Sequence, residues 1–120
     1  MLPDLQRARI SELLTDYCEA TVPERVRDKV RLSFRIEGNV IDLFELRPRV
    51  RASRQWQEES VARFRYVQSR RVWRLYCQYR DLRWHEYEPL FEARSFDELL
   101  TEVDEDPRAS FGASSASAAV

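Results

Sequence analysis

The 120-residue sequence is poor in several residue types: it has one lysine, one histidine, one methionine, two glycines and two cysteines. Each scarcity excludes something. With only Gly38 and Gly112, the chain has no glycine-rich loop able to wrap a phosphate, and no dinucleotide fingerprint. Cys18 and Cys77 stand far apart, and His85 is the sole histidine, so neither a zinc spacing nor a paired redox motif is present. Both cysteines fall on apolar stripes of different elements, which predicts buried free thiols. No cofactor is expected. No stretch approaches the roughly 18 consecutive apolar residues of a membrane-spanning helix. The start, Met1-Leu2-Pro3-Asp4, lacks the charged-then-apolar pattern of an export signal. The expectation is a cytoplasmic protein without membrane contact.

What is present is arginine and apolar surface. Nineteen of the twenty basic residues are Arg, Lys29 being the exception, against 21 acids for a net charge of −1. With 43% apolar and 12% aromatic residues the chain can bury a core, and its length suits a single domain, placed at residues 1–112. The Ala/Ser-rich residues 113–120 are expected to be a disordered tail, with Phe111 as the last anchoring contact.

Periodicity assigns the elements. Ile10, Leu13, Leu14, Tyr17 and Cys18 fall on one helical face, and Pro3 and Pro23 flank the segment, so a helix is predicted over 4–20. From Lys29 to Glu37 the apolar residues Val30, Leu32, Phe34 and Ile36 alternate with polar ones, as in a half-buried strand. Gly38-Asn39 then supplies a two-residue hairpin turn, and the returning strand runs from Val40 to Arg47, where Pro48 stops it. Residues 48–60 show no period and read as a connecting loop, with Trp56 tucked against the body. Strands follow at 61–67, 71–79 and 83–88. Ser95 and Glu98 have the spacing of a capping box, and Phe96, Leu99, Leu100 and Val103 form the apolar stripe of a closing helix. The fold class is therefore α+β: an N-terminal helix, a five-stranded antiparallel sheet built from hairpins, and a C-terminal helix, with both helices packed on one sheet face.

The near-neutral total hides a strong segregation of charge. Residues 25–83 carry fifteen Arg and Lys29 against seven acids, a net of +9, while 84–106 carry Arg94 against nine acids, a net of −8. Two outcomes fit this split. The acidic segment can neutralise the sheet, within one chain or across a homodimer, and leave a protein-protein interaction module. Alternatively, an open Arg and aromatic sheet face can bind nucleic acid or a nucleic-acid complex. A monomer and a homodimer are both compatible with the sequence.

Some residues carry more chemistry than a sheet needs. Pairing through Gly38-Asn39 sets Ile36 opposite Ile41, Phe34 opposite Leu43, Leu32 opposite Glu45 and Val30 opposite Arg47, so Glu45 and Arg47 point to the core side. A buried carboxylate needs a partner, and the two residues either form a structural ion pair or line a site. If Asp81-Leu82 is the second turn, Tyr79 faces Trp84, Gln78 faces His85 and Tyr76 faces Tyr87. That puts Arg74, Tyr76, His85 and Tyr87 on one side, and with Arg47 and Trp84 they form the expected binding set. His85 can act as a general acid or base, but no Ser or Cys signature supplies a nucleophile for it. A metal-dependent nuclease is the enzymatic alternative. Glu37, Asp42 and Glu45 lie on one hairpin, and Glu45-Leu46-Arg47 loosely resembles the carboxylate-x-Lys element of restriction-type nucleases, although Arg is a poor substitute for a lysine that must shift its pKa.

Several runs together resemble a bacterial family known as domain of unknown function 3024. They are Val22-Pro23-Glu24-Arg25-Val26-Arg27-Asp28-Lys29-Val30, Phe34-Arg35-Ile36-Glu37-Gly38-Asn39, Leu43-Phe44-Glu45-Leu46-Arg47-Pro48, Ala62-Arg63-Phe64-Arg65-Tyr66-Val67, Trp73-Arg74-Leu75-Tyr76 and Leu82-Arg83-Trp84-His85-Glu86-Tyr87-Glu88-Pro89. The resemblance spans roughly residues 5–112 and implies no activity, cofactor or catalytic residue. The terminal Ala118-Ala119-Val120 also resembles tails that bacterial unfolding proteases recognise.

Overall fold

The computed structural model describes residues 2–49, 52–106 and 110–111. Helix α1 spans Asp4–Thr21, with Pro3 as its N-cap and Pro23 just past its end. It buries Ile10, Leu14 and Cys18. A single 3-10 turn at Glu24–Val26 leads into strand β1, Arg31–Glu37, and Gly38 at φ 59° turns the chain into β2, Val40–Arg49. Positive φ at the first turn residue is the backbone state for which glycine has no steric penalty. The predicted register holds: Ile36 pairs with Ile41, Phe34 with Leu43 and Leu32 with Glu45, and the ladder ends at Arg31 opposite Leu46.

The expected loop at 48–60 is instead half of a long ribbon. Strand β3 covers Ala52–Val67 and pairs with β2 from Arg49 to Val40, with two register shifts, one between Pro48 and Arg49 and one that leaves Val61 as an extra residue. Residues 55–60 are exposed on both sides, so no apolar alternation marks them as a strand. Nor does Pro48 stop β2. It pairs with Trp56 where β1 has already ended, so β2 is an edge there, and an edge accommodates a residue without an N–H. Trp56 stays 37% exposed with the Arg31 guanidinium 4.6 Å above its ring, so it does not enter the core.

Strand β4, Val72–Gln78, pairs with β3 on one side. Its other side holds β5, Trp84–Glu86, and a sixth strand the sequence did not announce, β6, Glu92–Ala93. The 3-10 turn Glu88–Leu90 separates the two, and Tyr87 and Leu75 bridge the gap through Tyr87 N–H to Leu75 C=O and Leu75 N–H to Phe91 C=O. The sheet is antiparallel, in the order β1-β2-β3-β4-β5 with β6 beside β4.

Helix α2, Phe96–Glu105, closes the domain. Ser95 caps it by accepting from the Asp97 N–H at 3.2 Å, one residue earlier than a capping box. Phe96, Leu99, Leu100 and Val103 are buried, and Phe96 stacks on Phe64 and meets Trp73 edge-on. Both helices lie on the same sheet face: Arg9 of α1 pairs with Asp97 of α2, and Tyr17 donates to Asp104. At the end of α2, Asp106 adopts a left-handed conformation and its Oδ1 accepts from Ser110 and Phe111. Phe111 is thereby seated against Tyr87, as its anchoring role requires. The expected tail at 113–120, with the terminal Ala118-Ala119-Val120, lies outside the described residues.

Cys18 and Cys77 are buried free thiols, and burial pushes the Cys18 pKa up to about 12 and raises that of Cys77. Neither forms a thiolate at neutral pH. Both are therefore expected to resist a disulfide-exchange reagent in the folded protein and to react together in denaturant; fast labelling of either under native conditions would contradict this packing. Among the described residues no helix is long and apolar enough to cross a membrane.

Candidate binding face

Because both helices cover one side of the sheet, the register decides which side chains occupy the other. On β1 the open face presents Arg31, Ser33, Arg35 and Glu37; on β2, Val40, Asp42, Phe44 and Leu46. Opposite them β3 presents Trp56, Glu58, Ser60, Arg63 and Arg65, and β4 presents Arg74, Tyr76 and Gln78. Trp84 and Glu86 of β5 and Glu92 of β6 complete it. The acidic helix is on the far side, where Asp97, Glu102 and Asp104 bond to Arg9, Tyr87 and Tyr17. Of the acidic 84–106 segment, Glu86 and Glu92 are on the open face, and Glu92 pairs with Arg70 and Arg74.

The expected patch of Arg74, Tyr76, His85 and Tyr87 is not assembled. Gln78 pairs with Trp84, Cys77 with His85 and Tyr76 with Glu86, one residue away from the anticipated register. The reason is the turn: it uses five residues, 79–83, with Leu82 N–H bonded to Tyr79 C=O and Leu82 itself at φ 62°. A one-residue slip reverses the faces. Trp84 thus joins Arg74 and Tyr76 on the open face, while Tyr87 is 1% exposed in the core and donates to Glu102 at 2.6 Å. His85 sits at the rim, stacked on Tyr79 at 4.3 Å with Nε2 3.0 Å from Asp81. Asp81 also accepts the Arg83 N–H, and that bond, followed by the one to His85, lowers its pKa.

Nor do the three acids of the nuclease reading converge. Glu37 and Asp42 occupy the open face, whereas Glu45 is 1% exposed on the opposite one, where Oε1 takes the Arg47 Nε–H at 3.3 Å. Asp42 instead grips Arg63 with two bonds of 2.6 and 3.0 Å, and this interaction raises the Arg63 pKa. Among the described residues no group of three His, Cys, Asp or Glu side chains is placed to hold a metal ion.

What the open face does assemble is a ladder of guanidinium groups laid on aromatic rings. Arg31 lies over Trp56, Arg35 over Phe44 and Arg63 over Trp84, at 4.6, 4.8 and 4.6 Å from the ring centres. Arg35 also forks onto Glu58, as Arg63 does onto Asp42. Arg65 is different. It is exposed, and among the described residues its guanidinium has no hydrogen bond or ion pair. It borders a depression of about 260 Å³ lined by Val40, Arg63, Arg65, Tyr76 and Trp84. A larger, more open depression of about 610 Å³ lies by the β4–β5 turn, lined by Gln78, Tyr79, Arg80, Asp81 and Ser110. Its one carboxylate is already engaged, so the smaller depression offers the richer recognition chemistry: two rings and an unpaired fork.

Arg63 and Arg65 were absent from the sequence-derived binding set, although their alternation with Phe64 and Tyr66 puts them on the polar side of β3. A family model described as Domain of unknown function (DUF3024) matches residues 2–112. The chain belongs to this family. Membership in the DUF3024 family covers every strand and both α-helices of the described residues and so includes the open face. No curated protein and no solved structure matches the chain.

Proposed function

We propose that this DUF3024 domain is a non-catalytic binding module that holds single-stranded nucleic acid, alone or within a nucleic-acid complex, on the open face of its sheet. The observation that supports this is the Arg65–Tyr76–Trp84 depression on a face from which both helices are withdrawn. A base stacks on an aromatic ring whatever its sequence, and a guanidinium fork matches a phosphate.

Electrostatics shapes the expected behaviour. The open face carries Arg31, Arg35, Arg63, Arg65 and Arg74 against Glu37, Asp42, Glu58, Glu86 and Glu92, so its formal charges balance. Three of those arginines are already paired with Asp42, Glu58 and Glu92. In the single chain, phosphate contacts then fall to Arg31 and Arg65, and the logarithmic salt slope is expected to be about −1.4, at roughly 0.7 per single-strand phosphate. Stacking supplies most of the remainder.

Labelled single-stranded RNA and DNA titrated at two salt concentrations test this directly. Trp84→Ala is expected to weaken binding about 5- to 150-fold, the equivalent of one lost base stack at about 1–3 kcal/mol. Arg65→Ala should both weaken binding and flatten the salt slope. Absence of binding at low salt removes the proposal.

A second reading, a protein partner on the same face, is favoured by the charge balance itself. Arg and aromatic residues are enriched at protein interfaces, where paired charges are less costly to cover than free ones.

A further inference from the structure

The outer edge of β1 is free: it pairs with β2 on one side and with nothing described on the other. We propose that this edge pairs, antiparallel and about a two-fold axis at Phe34, with β1 of a second copy of the chain, joining two sheets into one.

The edge lacks a bulge, a break or a lysine to prevent such pairing, and its charged residues, Arg31, Arg35 and Glu37, are of both signs. Its register against β2 is regular over seven residues, without a bulge, and it contains no proline, glycine or lysine. The two-residue turn makes Glu37 and Val40 a mutually hydrogen-bonded pair, so Glu37, Arg35, Ser33 and Arg31 bond inward to β2. Leu32, Phe34 and Ile36 consequently turn their N–H and C=O groups outward. A partner strand centred on Phe34 sets Phe34 against Phe34 and Leu32 against Ile36 twice, and these three facing pairs give six backbone hydrogen bonds.

Side-chain charge selects that register. With the axis at Phe34, Arg31 of one copy stands opposite Glu37 of the other, twice, and Ser33 stands opposite Arg35. Centring the pair on Ser33 would oppose Arg31 to Arg35, and centring it on Arg35 would oppose Arg35 to itself. Like charges directly opposite one another destabilise a ladder, and opposite charges stabilise it. The arrangement is isologous and closes at two copies. On the helix side, Phe34 and Ile36 are half-buried in the single chain, and a groove of about 260 Å³ between α1 and β1, lined by Thr15, Cys18, Glu19, Leu32, Ser33 and Phe34, is open beside the edge. The partner's Ile36, paired with Leu32, falls beside this groove. The two open faces would then lie side by side on one continuous sheet.

Sedimentation velocity over a concentration series tests the pairing with two charge reversals at exposed positions, Arg31→Glu and Glu37→Arg. The wild-type chain is expected to dimerise. Each single variant should be monomeric over the same range and melt cooperatively, because it now opposes like charges at both ends. An equimolar mixture of the two variants should dimerise again, since Arg31 of one chain meets Glu37 of the other and the reversed residues also meet. The double variant should dimerise with itself. A wild-type chain that stays monomeric, or a dimer that both single reversals leave intact, overturns the proposal.

Discussion

Replacing Phe96 by Ala is expected to destabilise the domain by about 3–5 kcal/mol, the usual range for deleting a buried phenyl ring. Phe96 is 2% exposed, its ring is 4.7 Å from Phe64 in a stacked arrangement and 5.2 Å from Trp73 edge-on, and it is the first residue of α2. Its loss therefore removes buried area, leaves a cavity between helix and sheet, and unseats the end of α2 that Ser95 caps. The remaining anchors of α2, Leu99, Leu100 and Val103, are buried in their own contacts, and a close-packed core relaxes only in part around such a cavity. Urea denaturation should show a lower midpoint with little change in slope, and the melting temperature should fall by about 10–20 °C. A loss below about 1 kcal/mol would mean that α2 is not held through this ring.

How far the fold could be read in advance depended on whether each segment had two unlike sides. The first hairpin did: β1 and the start of β2 bury one face only, and Gly38 marks the turn, so even the cross-strand partners were legible. The ribbon at 48–60 did not. Its residues 55–60 are exposed on either side, and it is held by backbone pairing and by long-range contacts such as Arg35 with Glu58, which leave no local period. The second hairpin failed at a single residue. Leu82 occupies a left-handed conformation that sequence rules reserve for Gly or Asn, so the five-residue turn carried no signal and every side chain of β5 was assigned to the wrong face. That error decided the candidate site: Trp84 belongs with Arg74 and Tyr76, whereas His85 and Tyr87 do not.

The same dependence on register explains why Glu45 and Arg47 were correctly placed on the buried side, and it leads to the second large effect. The Glu45 side chain is 2% exposed and that of Arg47 33%, with 3.3 Å between Nε and Oε1. Arg47→Met removes the cation and leaves the carboxylate buried. Breaking a buried pair this way costs about 3–5 kcal/mol, and the partial exposure of Arg47 reduces the expected loss to about 2–3 kcal/mol. The paired change Glu45→Leu with Arg47→Met removes both desolvation penalties and should fall well short of the sum of the two single changes, with stability close to that of the wild type. A double-mutant cycle in urea measures this coupling directly. It also distinguishes the two roles open to the pair: a structural bridge gives strong coupling in stability and leaves single-strand binding on the far face unchanged, whereas a ligand site would show weak coupling and a loss of binding in each single variant.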